Sequence, residues 1–390
     1  MEHPLSLIGK RSSQSPPAGS DGPKIAFAAH RWEGFDQRKA IAEWDALAQW
    51  AAEPNPFYES WYLLPSLKAF DPAGDVKLLV LTAGGQLAGL MPIKREARYY
   101  GHPVPHLRNW VHANCFLGQP LVARGFERLF WRELLRWCDR QGGLALFLHL
   151  AHCPLDGPLH LALQAELAQQ ARPGATVLRE ERAMLHTDLS AEAYLEASLA
   201  GKKRKELRRQ QRRLAEEGEL QVERLQDAVG VAEWVAEFLT LEQRGWKGAA
   251  GSALACDTRT ADLFGDALGG AARRGRLERL ALRLDGRPIA MLASFLTAPG
   301  AFSYKTAFNE DYARFSPGVL LQCENLALLE DPRTDWVDSC ASADHPMIDH
   351  FWRERRGIAR HSLAIGSPLR RSLFSLLCRR ETGTAPGGIV

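Results

Sequence analysis

Two stretches of the sequence carry residue types at spacings that chemistry can use. Between Lys202 and Arg213, eight bases (Lys202, Lys203, Arg204, Lys205, Arg208, Arg209, Arg212 and Arg213) meet the single acid Glu206. Arg204, Arg208 and Arg212 recur every fourth residue, so a helix lines them along one face. Charges this dense repel unless an anion lies nearby, either a carboxylate cluster or a phosphorylated ligand; a solvated helix face is the plainer account. The second stretch is Ser316-Pro317-Gly318-Val319-Leu320. Ser316 suits an N-cap, and Pro317 suits a first helical turn, where its missing N–H costs nothing. Gly318 lets a ligand approach the backbone, and the N–H groups of Gly318, Val319 and Leu320 would face an anion at the positive end of the helix dipole. Taken alone, the pentapeptide fits a well-capped helix equally well.

Candidate proton acceptors are Glu242, Tyr304, Lys305, Asp344, His345 and Asp349. A strand alternates its side chains, which would send Tyr304 and Lys305 to opposite faces. His345 titrates near neutrality when unperturbed, and Asp344 beside it could orient the ring; a loop histidine shaping a turn before Pro346 is the competing account. Trp246 stands four residues after Glu242, so one helix would place both on one face, with the indole flooring a sugar or acyl pocket or simply joining the core. His149, His152, Cys153 and His160 cluster loosely, but their spacing fits no common zinc template, and no metal site is expected. Neither a P-loop, a dinucleotide fingerprint nor a G-x-S-x-G elbow occurs, which removes the usual support for nucleotide-hydrolysing and redox readings.

These residues need a scaffold, and periodicity supplies one spelled twice. Strand 24–30, helices 36–51 and 57–70, strands near 76–82, 87–95 and 107–115, helix 127–141, strand 144–150, helix 157–171 and strands near 175–180 and 184–188 form the first copy. A basic helix over 199–217 follows. The second copy runs as strand 219–225, helices 227–244 and 258–274, strands 277–284, 288–296 and 301–307, helix 317–330, strand 335–339, helix 347–356 and strand 358–365. Leu79, Leu81, Gly85, Gly89 and Met91 align with Leu280, Leu282, Gly286, Ala290 and Leu292 at a constant offset of 201. Gly84-Gly85 and Asp285-Gly286 are strong hairpin turns, because such turns need positive φ.

This order resembles the GNAT acyltransferase fold, and the second half resembles the CelD/BcsL-type family of GNAT-like acetyltransferases associated with cellulose and exopolysaccharide synthesis. The resemblance rests on the basic run, on Leu241-Glu242-Gln243-Arg244-Gly245-Trp246-Lys247-Gly248 with Gly251-Ser252-Ala253-Leu254, and on Leu284-Asp285-Gly286-Arg287-Pro288-Ile289-Ala290. Tyr304-Lys305-Thr306-Ala307-Phe308 and Phe315-Ser316-Pro317-Gly318-Val319-Leu320-Leu321 complete it. It is similar, more distantly, to Fem-type peptidyl ligases that use aminoacyl-tRNA. The resemblance implies an α/β (α+β) chain of tandem GNAT-like domains, mixed central sheets flanked by helices. It divides as a disordered segment 1–23, a first domain 24–189 without cofactor, a second domain 190–366 and a tail 367–390. It implies acetyl-CoA or another acyl-CoA as co-substrate, its pyrophosphate at Ser316, Gly318, Val319 and Leu320. The usual Gln/Arg-x-x-Gly-x-Gly/Ala loop is absent, and the first copy has Ala123-Arg124-Gly125-Phe126-Glu127 at the equivalent place. Catalysis falls to Glu242, His345, Tyr304 and Asp344. Arg204, Arg208, Arg212, Trp246, Lys247 and Lys305 would meet a sugar, sugar-nucleotide or amine acceptor, with polysaccharide-synthesis proteins as candidate partners.

Composition agrees. At 390 residues the chain exceeds one ordinary core, and 46% hydrophobic residues with 11 Trp and 16 Phe exclude a disordered protein. The net charge of +3 is too small for a chain that grips nucleic acid over its whole surface, and the basic run lacks interleaved aromatics. The longest apolar stretch, Leu144 to Leu155, carries His149 and His152 and is shorter than the ~20 residues a bilayer crossing needs. Seven scattered cysteines with no C-x-x-C pair suggest neither a disulfide framework nor a zinc ribbon, and a cytoplasmic location is expected.

Overall fold

A computed structural model describes residues 24–343, 345 and 347–389. The first pass along the chain runs β1 (Ile25–Arg31), α1 (Arg38–Trp50), α2 (Ser60–Phe70), β2 (Lys77–Ala83), β3 (Gln86–Glu96), β4 (His106–Asn109) and β5 (Leu121–Val122). It continues with α3 (Glu127–Gln141), β6 (Phe147–Pro154), α4 (Pro158–Gln169) and β7 (Gly174–Leu185). Two helices, α5 (Ala191–Ser198) and α6 (Gly201–Ala215), connect it to the second pass. There β8 (Leu220–Leu225), α7 (Val231–Arg244), α8 (Trp246–Ala249), α9 (Thr258–Ala272), β9 (Leu277–Leu284), β10 (Arg287–Thr297) and β11 (Gly300–Phe308) are followed by α10 (Pro317–Asn325), β12 (Trp336–Asp338) and β13 (Glu354–Ala364). Helix α11 (Pro368–Thr382) closes the chain.

The repeat is real in three dimensions. Both expected hairpin turns form with left-handed backbone, Gly84 and Gly85 at φ 59° and 82°, Asp285 and Gly286 at 49° and 75°. All the strands join one mixed sheet in the order β1-β2-β3-β4-β6-β13-β7-β12-β11-β10-β9-β8, with β5 on β3. The last strand of the second pass, β13, lies between β6 and β7 of the first, and β7 in turn pairs with β12. The two copies thus share one ladder. Helices α2 and α9, equivalent in the two passes, meet so closely that a Cβ on Gly270 would stand 2.8 Å from Trp61 Cβ. Arg274 pairs with Asp45 at 2.7 Å, and Arg276 pairs with Glu59 across the same seam. Phe57, Tyr62, Phe295, Phe302 and Tyr304 fill the seam with edge-on and tilted ring contacts. Each buried aromatic of this kind contributes about 1.5–3 kcal/mol.

Several boundaries differ from the pattern-based reading. The two strands near 175–180 and 184–188 are one strand, β7, because its charged middle, Arg179 to Arg182, is held by pairing to β13. The expected helix 347–356 does not form: 347–351 are turns, and Glu354 already belongs to β13, which pairs with Met184. Helix 317–330 stops at Asn325 and finishes as a 3-10 turn, Leu326–Glu330. Strand 107–115 shrinks to β4. The basic helix 199–217 is α6 alone, and a separate helix, α5, precedes it, with the Ser190 hydroxyl accepting the Ala193 N–H at 3.3 Å. Within 367–390, Ser367 and Pro368 start a full helix, α11. Segment 1–23 and Asp344 lie outside the described residues.

Candidate active site

Strand β11 sets the site. Its register against β10 slips so that Lys305 pairs with Ala293 and Ser303 with Ser294, leaving Tyr304 as an extra residue. A bulge breaks strict alternation and re-aims side chains. Tyr304 and Lys305 therefore do not part to opposite environments: both reach Phe116, the Tyr304 ring at 6.0 Å and Lys305 Nζ at 5.2 Å from its centre. On its other edge β11 pairs with β12 only from Gly300↔Trp336 to Phe302↔Asp338. β12 ends at Asp338, so beyond Phe302 β11 runs on to Phe308 with no strand paired on that edge among the described residues, and the first copy reaches into that region with Tyr62 from α2 and the segment Asn114–Phe116.

The polar contacts there are few and specific. Lys305 Nζ donates to Asn114 Oδ1 at 2.8 Å. Tyr62 and Tyr304 share a hydroxyl–hydroxyl bond of 3.1 Å, and Tyr62 OH also donates to the Asn114 carbonyl. Burial, reinforced by the nearby Lys247 cation, pushes the Lys305 ammonium down to about 8. Burial also holds the Tyr304 phenol well above its ordinary range. An ammonium so placed keeps most of its charge at neutral pH and has two N–H donors left after Asn114.

Glu242 sits inside, only 4% exposed. Its two oxygens are committed, one to Lys247 Nζ at 2.7 Å and the other to the N–H of Leu254 at 2.8 Å, while Lys247 also donates to the Thr306 carbonyl at 3.1 Å. Glu242 thereby ties α7, α8 and the segment before α9 to β11. The expectation that Trp246 shares a helix face with Glu242 fails, because α7 ends at Arg244 and Gly245 is extended. Trp246 opens α8 and stands 57% exposed. His345 is half-buried, and among the described residues its Nδ1 is buried with no hydrogen-bond partner. Burial holds its imidazole below the ordinary value against the pull of Asp349, and Lys247 lowers it further.

At the start of α10, Ser316 is no N-cap by side chain. It takes a left-handed conformation, φ 53° and ψ 50°, and its hydroxyl makes no capping bond. Its carbonyl accepts the N–H groups of Val319 and Leu320 at 2.9 and 3.0 Å, so those two are not directed outward as the sequence suggested. Gly318 lies beneath Met347, and a Cβ there would stand 2.8 Å from its sulfur.

Helix α6 buries Leu207 and Leu214 against β9, β10 and α10. That orientation turns Arg208 and Arg212 to solvent, where they form no ion pair among the described residues, while Arg204 pairs with Glu196 at 3.5 Å. Arg209 and Arg213 instead line a cavity of about 330 Å³ with Arg314 and Phe315, just before Ser316. Glu216 and Glu217 share its wall, and Glu217 pairs with Arg314 at 2.9 Å. Sequence spacing could not distinguish the two arginine pairs, since both are i, i+4; only the burial of Leu207 and Leu214 orients them. A cleft of about 890 Å³ lies along α7 against the β9–β10 turn and has mixed charge, including Glu237, Arg244, Asp285 and Arg287. The His149, His152, Cys153 and His160 cluster is dispersed: His149 bonds Ser362 at 3.1 Å and His160 packs on His361. Among the described residues no group of three or more His, Cys, Asp or Glu is placed to hold a metal.

Residues 201–345 match the family model described as an acetyltransferase (GNAT) domain. No curated protein matches the sequence. Among solved structures, FemX resembles the chain at TM-score 0.55 and 11% identity, covering 86% of this chain and 98% of FemX. The C-terminal domain of a proposed lysylphosphatidylglycerol synthetase from Agrobacterium fabrum does so at 0.51 and 13%, covering 89% and 97%. A conserved protein of unknown function from Bacteroides thetaiotaomicron gives 0.52 and 10%, covering 83% and 97%. Identities this low speak to the fold. With the doubled element order and the shared sheet they give the chain a tandem GNAT-like fold, within which residues 201–345 match a GNAT-type acetyltransferase domain.

Proposed function

We propose that the chain is an acyl-CoA-dependent acyltransferase acting on a sugar- or amine-bearing acceptor in polysaccharide or cell-envelope synthesis, in the manner of CelD/BcsL-type enzymes. The observation that carries this reading is the β11 edge beyond Phe302, where Lys305 is buried and bonded to Asn114 of the first copy; His345, which feels the charge of the neighbouring Lys247, offers an unpartnered Nδ1 as proton acceptor. The residues suit the co-substrate: Gly318 leaves no room for a side chain at the head of α10, and Arg213 stands beside that head with a cationic fork suited to phosphate oxygens, next to Arg209, whose own fork is held by Glu206 at 2.8 and 2.9 Å. Bound there, the thioester supplies the activated acyl group.

The chain's own residues do the rest. Lys305 holds an ammonium where an oxygen gains negative charge, stronger there than in water because the surroundings are partly desolvated. His345, neutral at physiological pH because burial lowers it, takes the acceptor's proton at Nδ1. Glu242 and Lys247 fix the inner wall.

Thermal unfolding with CoA and acetyl-CoA tests the donor. A ligand at ~100 times its dissociation constant stabilises by ~2.7 kcal/mol. Gly318→Val should abolish that gain and Gly125→Val leave it intact; free-thiol release with amino sugars and sugar hydroxyls then tests the acceptor. Stabilisation by aminoacyl-tRNA and not by CoA would transfer the reading to a Fem-type ligase.

A further inference from the structure

Helix α11 presents two faces. Phe374 and Cys378 turn inward onto Phe147 and the sheet. On the opposite side Leu369, Leu373 and Leu376 stand 74%, 47% and 68% exposed. At ~100° per residue these three fall within one narrow stripe. By the same geometry Arg379 borders the stripe on one edge, Arg370 on the other, and Arg380 continues it at the C-terminal end. Arg370 reaches the Gly143 carbonyl at 2.8 Å, whereas Arg379 and Arg380 form no ion pair among the described residues. The helix has four arginines and one acid, Glu381, which accepts from Tyr99 OH at 2.8 Å.

Beside the stripe opens a cavity of about 560 Å³ lined chiefly by Tyr99, Tyr100, Val104, Phe147, Phe374 and Leu377. Tyr100 is 62% exposed at its rim, and Arg360 donates to its hydroxyl at 3.1 Å. An exposed leucine stripe edged by arginines, continuous with an apolar slot and an aromatic rim, has the composition of a helix that lies in a membrane interface.

We infer that α11 docks the protein on an anionic lipid surface, the leucines entering the headgroup boundary, Arg379 and Arg380 meeting lipid phosphates, and the slot beside Leu377 receiving apolar lipid tail. Charge selects this occupant over the others. A second copy applied to the same face would set arginine against arginine. The segment 1–23 carries two bases, Lys10 and Arg11, and two acids, Glu2 and Asp21, so it has no acidic excess to offer. The inference does not depend on the acyltransfer chemistry, because its readout is lipid binding.

The full chain is sedimented with vesicles of phosphatidylcholine and with vesicles of equal parts phosphatidylcholine and phosphatidylglycerol. Binding to the anionic vesicles alone, weakened by salt, is expected. The Leu373→Ser/Leu376→Ser variant should fall to background, with an unchanged melting temperature because both side chains are exposed. The Arg379→Ser/Arg380→Ser variant should bind about thirtyfold more weakly, the fold-change that ~1 kcal/mol per arginine gives. Equal binding to both vesicles, no binding of the wild type, or wild-type binding by the leucine variant would overturn the inference. So would self-association or polyglutamate binding through this face with no vesicle binding.

Discussion

Arg182 on β7 and Asp338 on β12 meet at 2.5 Å where Asp338 is wholly buried, and Arg356 on β13 reaches the same oxygen at 3.1 Å. The three residues sit on three neighbouring strands, one from the first pass and two from the second. The contact therefore marks the place where the copies exchange strands. Burial alone would raise the Asp338 carboxyl, but the two guanidiniums hold it below its ordinary value. One carboxylate between two cations is satisfied only while all three strands are in register.

Asp338→Ala should accordingly destabilise the chain by about 3–5 kcal/mol, the usual cost of stranding buried charges. Denaturant midpoints at neutral pH would measure it. The sign with pH follows from a depressed folded pKa: the stabilisation is complete above the unfolded carboxylate's value and is lost as pH falls through the lowered folded value. Wild type and variant should converge in acid. A loss under about 1 kcal/mol, typical of an exposed pair, would mean the triad does not hold the exchange.

Local pattern made the doubled order legible, because alternation, Gly-rich turns and helical stripes are set within a few residues. The exchange was not, since no short-range signal says that β13 inserts between β6 and β7. The surroundings of the candidate site were harder to read for the same reason. Lys305 and His345 could be named from sequence, but the bulge at Tyr304 and the bond to Asn114, 191 residues away, are tertiary facts. Trp246 was misplaced because Gly245 ends α7, which the run Leu241 to Gly248 does not announce to a reader counting i+4. Helix α11 stands where the pattern suggests only a tail, although Ser367-Pro368 is a start signal of the same kind as Ser316-Pro317.

The two arginine pairs of α6 should behave differently. Arg209 and Arg213 face the cavity before α10, whereas Arg208 and Arg212 face solvent. Charge reversal at Arg209 and Arg213 should raise KM for acyl-CoA by tenfold or more, ~1.4 kcal/mol, with kcat little changed. Reversal at Arg208 and Arg212 should leave the donor KM within about twofold and act on the acceptor if on anything. Equal effects of both pairs on the donor KM would discard the cavity as the phosphate site.

Lys305 separates function from stability. Burial pushes its folded pKa down to about 8, below the ordinary lysine value, so folding is penalised while the amine is charged in both states. Stability attributable to this group should rise with pH across that window as the unfolded chain retains protons the folded one has released. Lys305→Met should therefore leave the melting temperature at pH 7 unchanged or higher. Turnover should fall by about 10²–10³, the cost of a lost oxyanion donor. In the wild type, kcat/KM should decline as pH rises past about 8, and that limb should vanish in the variant. A variant that unfolds and keeps its turnover when refolded would reverse both halves of this assignment.

His345 and Glu242 make different hydrogen bonds, and their variants should behave differently. Each Glu242 oxygen already accepts a bond, one from Lys247 and one from the Leu254 N–H, an arrangement suited to anchoring the inner wall. Glu242→Gln removes one partner of a buried pair and should lower the melting temperature markedly, with activity lost in proportion to unfolding. His345 has its Nδ1 buried and unpartnered among the described residues, and burial keeps the ring neutral to lower pH than usual. His345→Gln should lower kcat by about 10²–10⁴ at little cost in stability. The acid limb of the wild-type pH–rate profile should lie below the ~6.5 of an unperturbed imidazole and be absent in the variant. Should His345→Gln keep kcat within about tenfold, less than a general base ordinarily contributes, the proton leaves the acceptor by another path and the site must be redrawn around Lys305 alone.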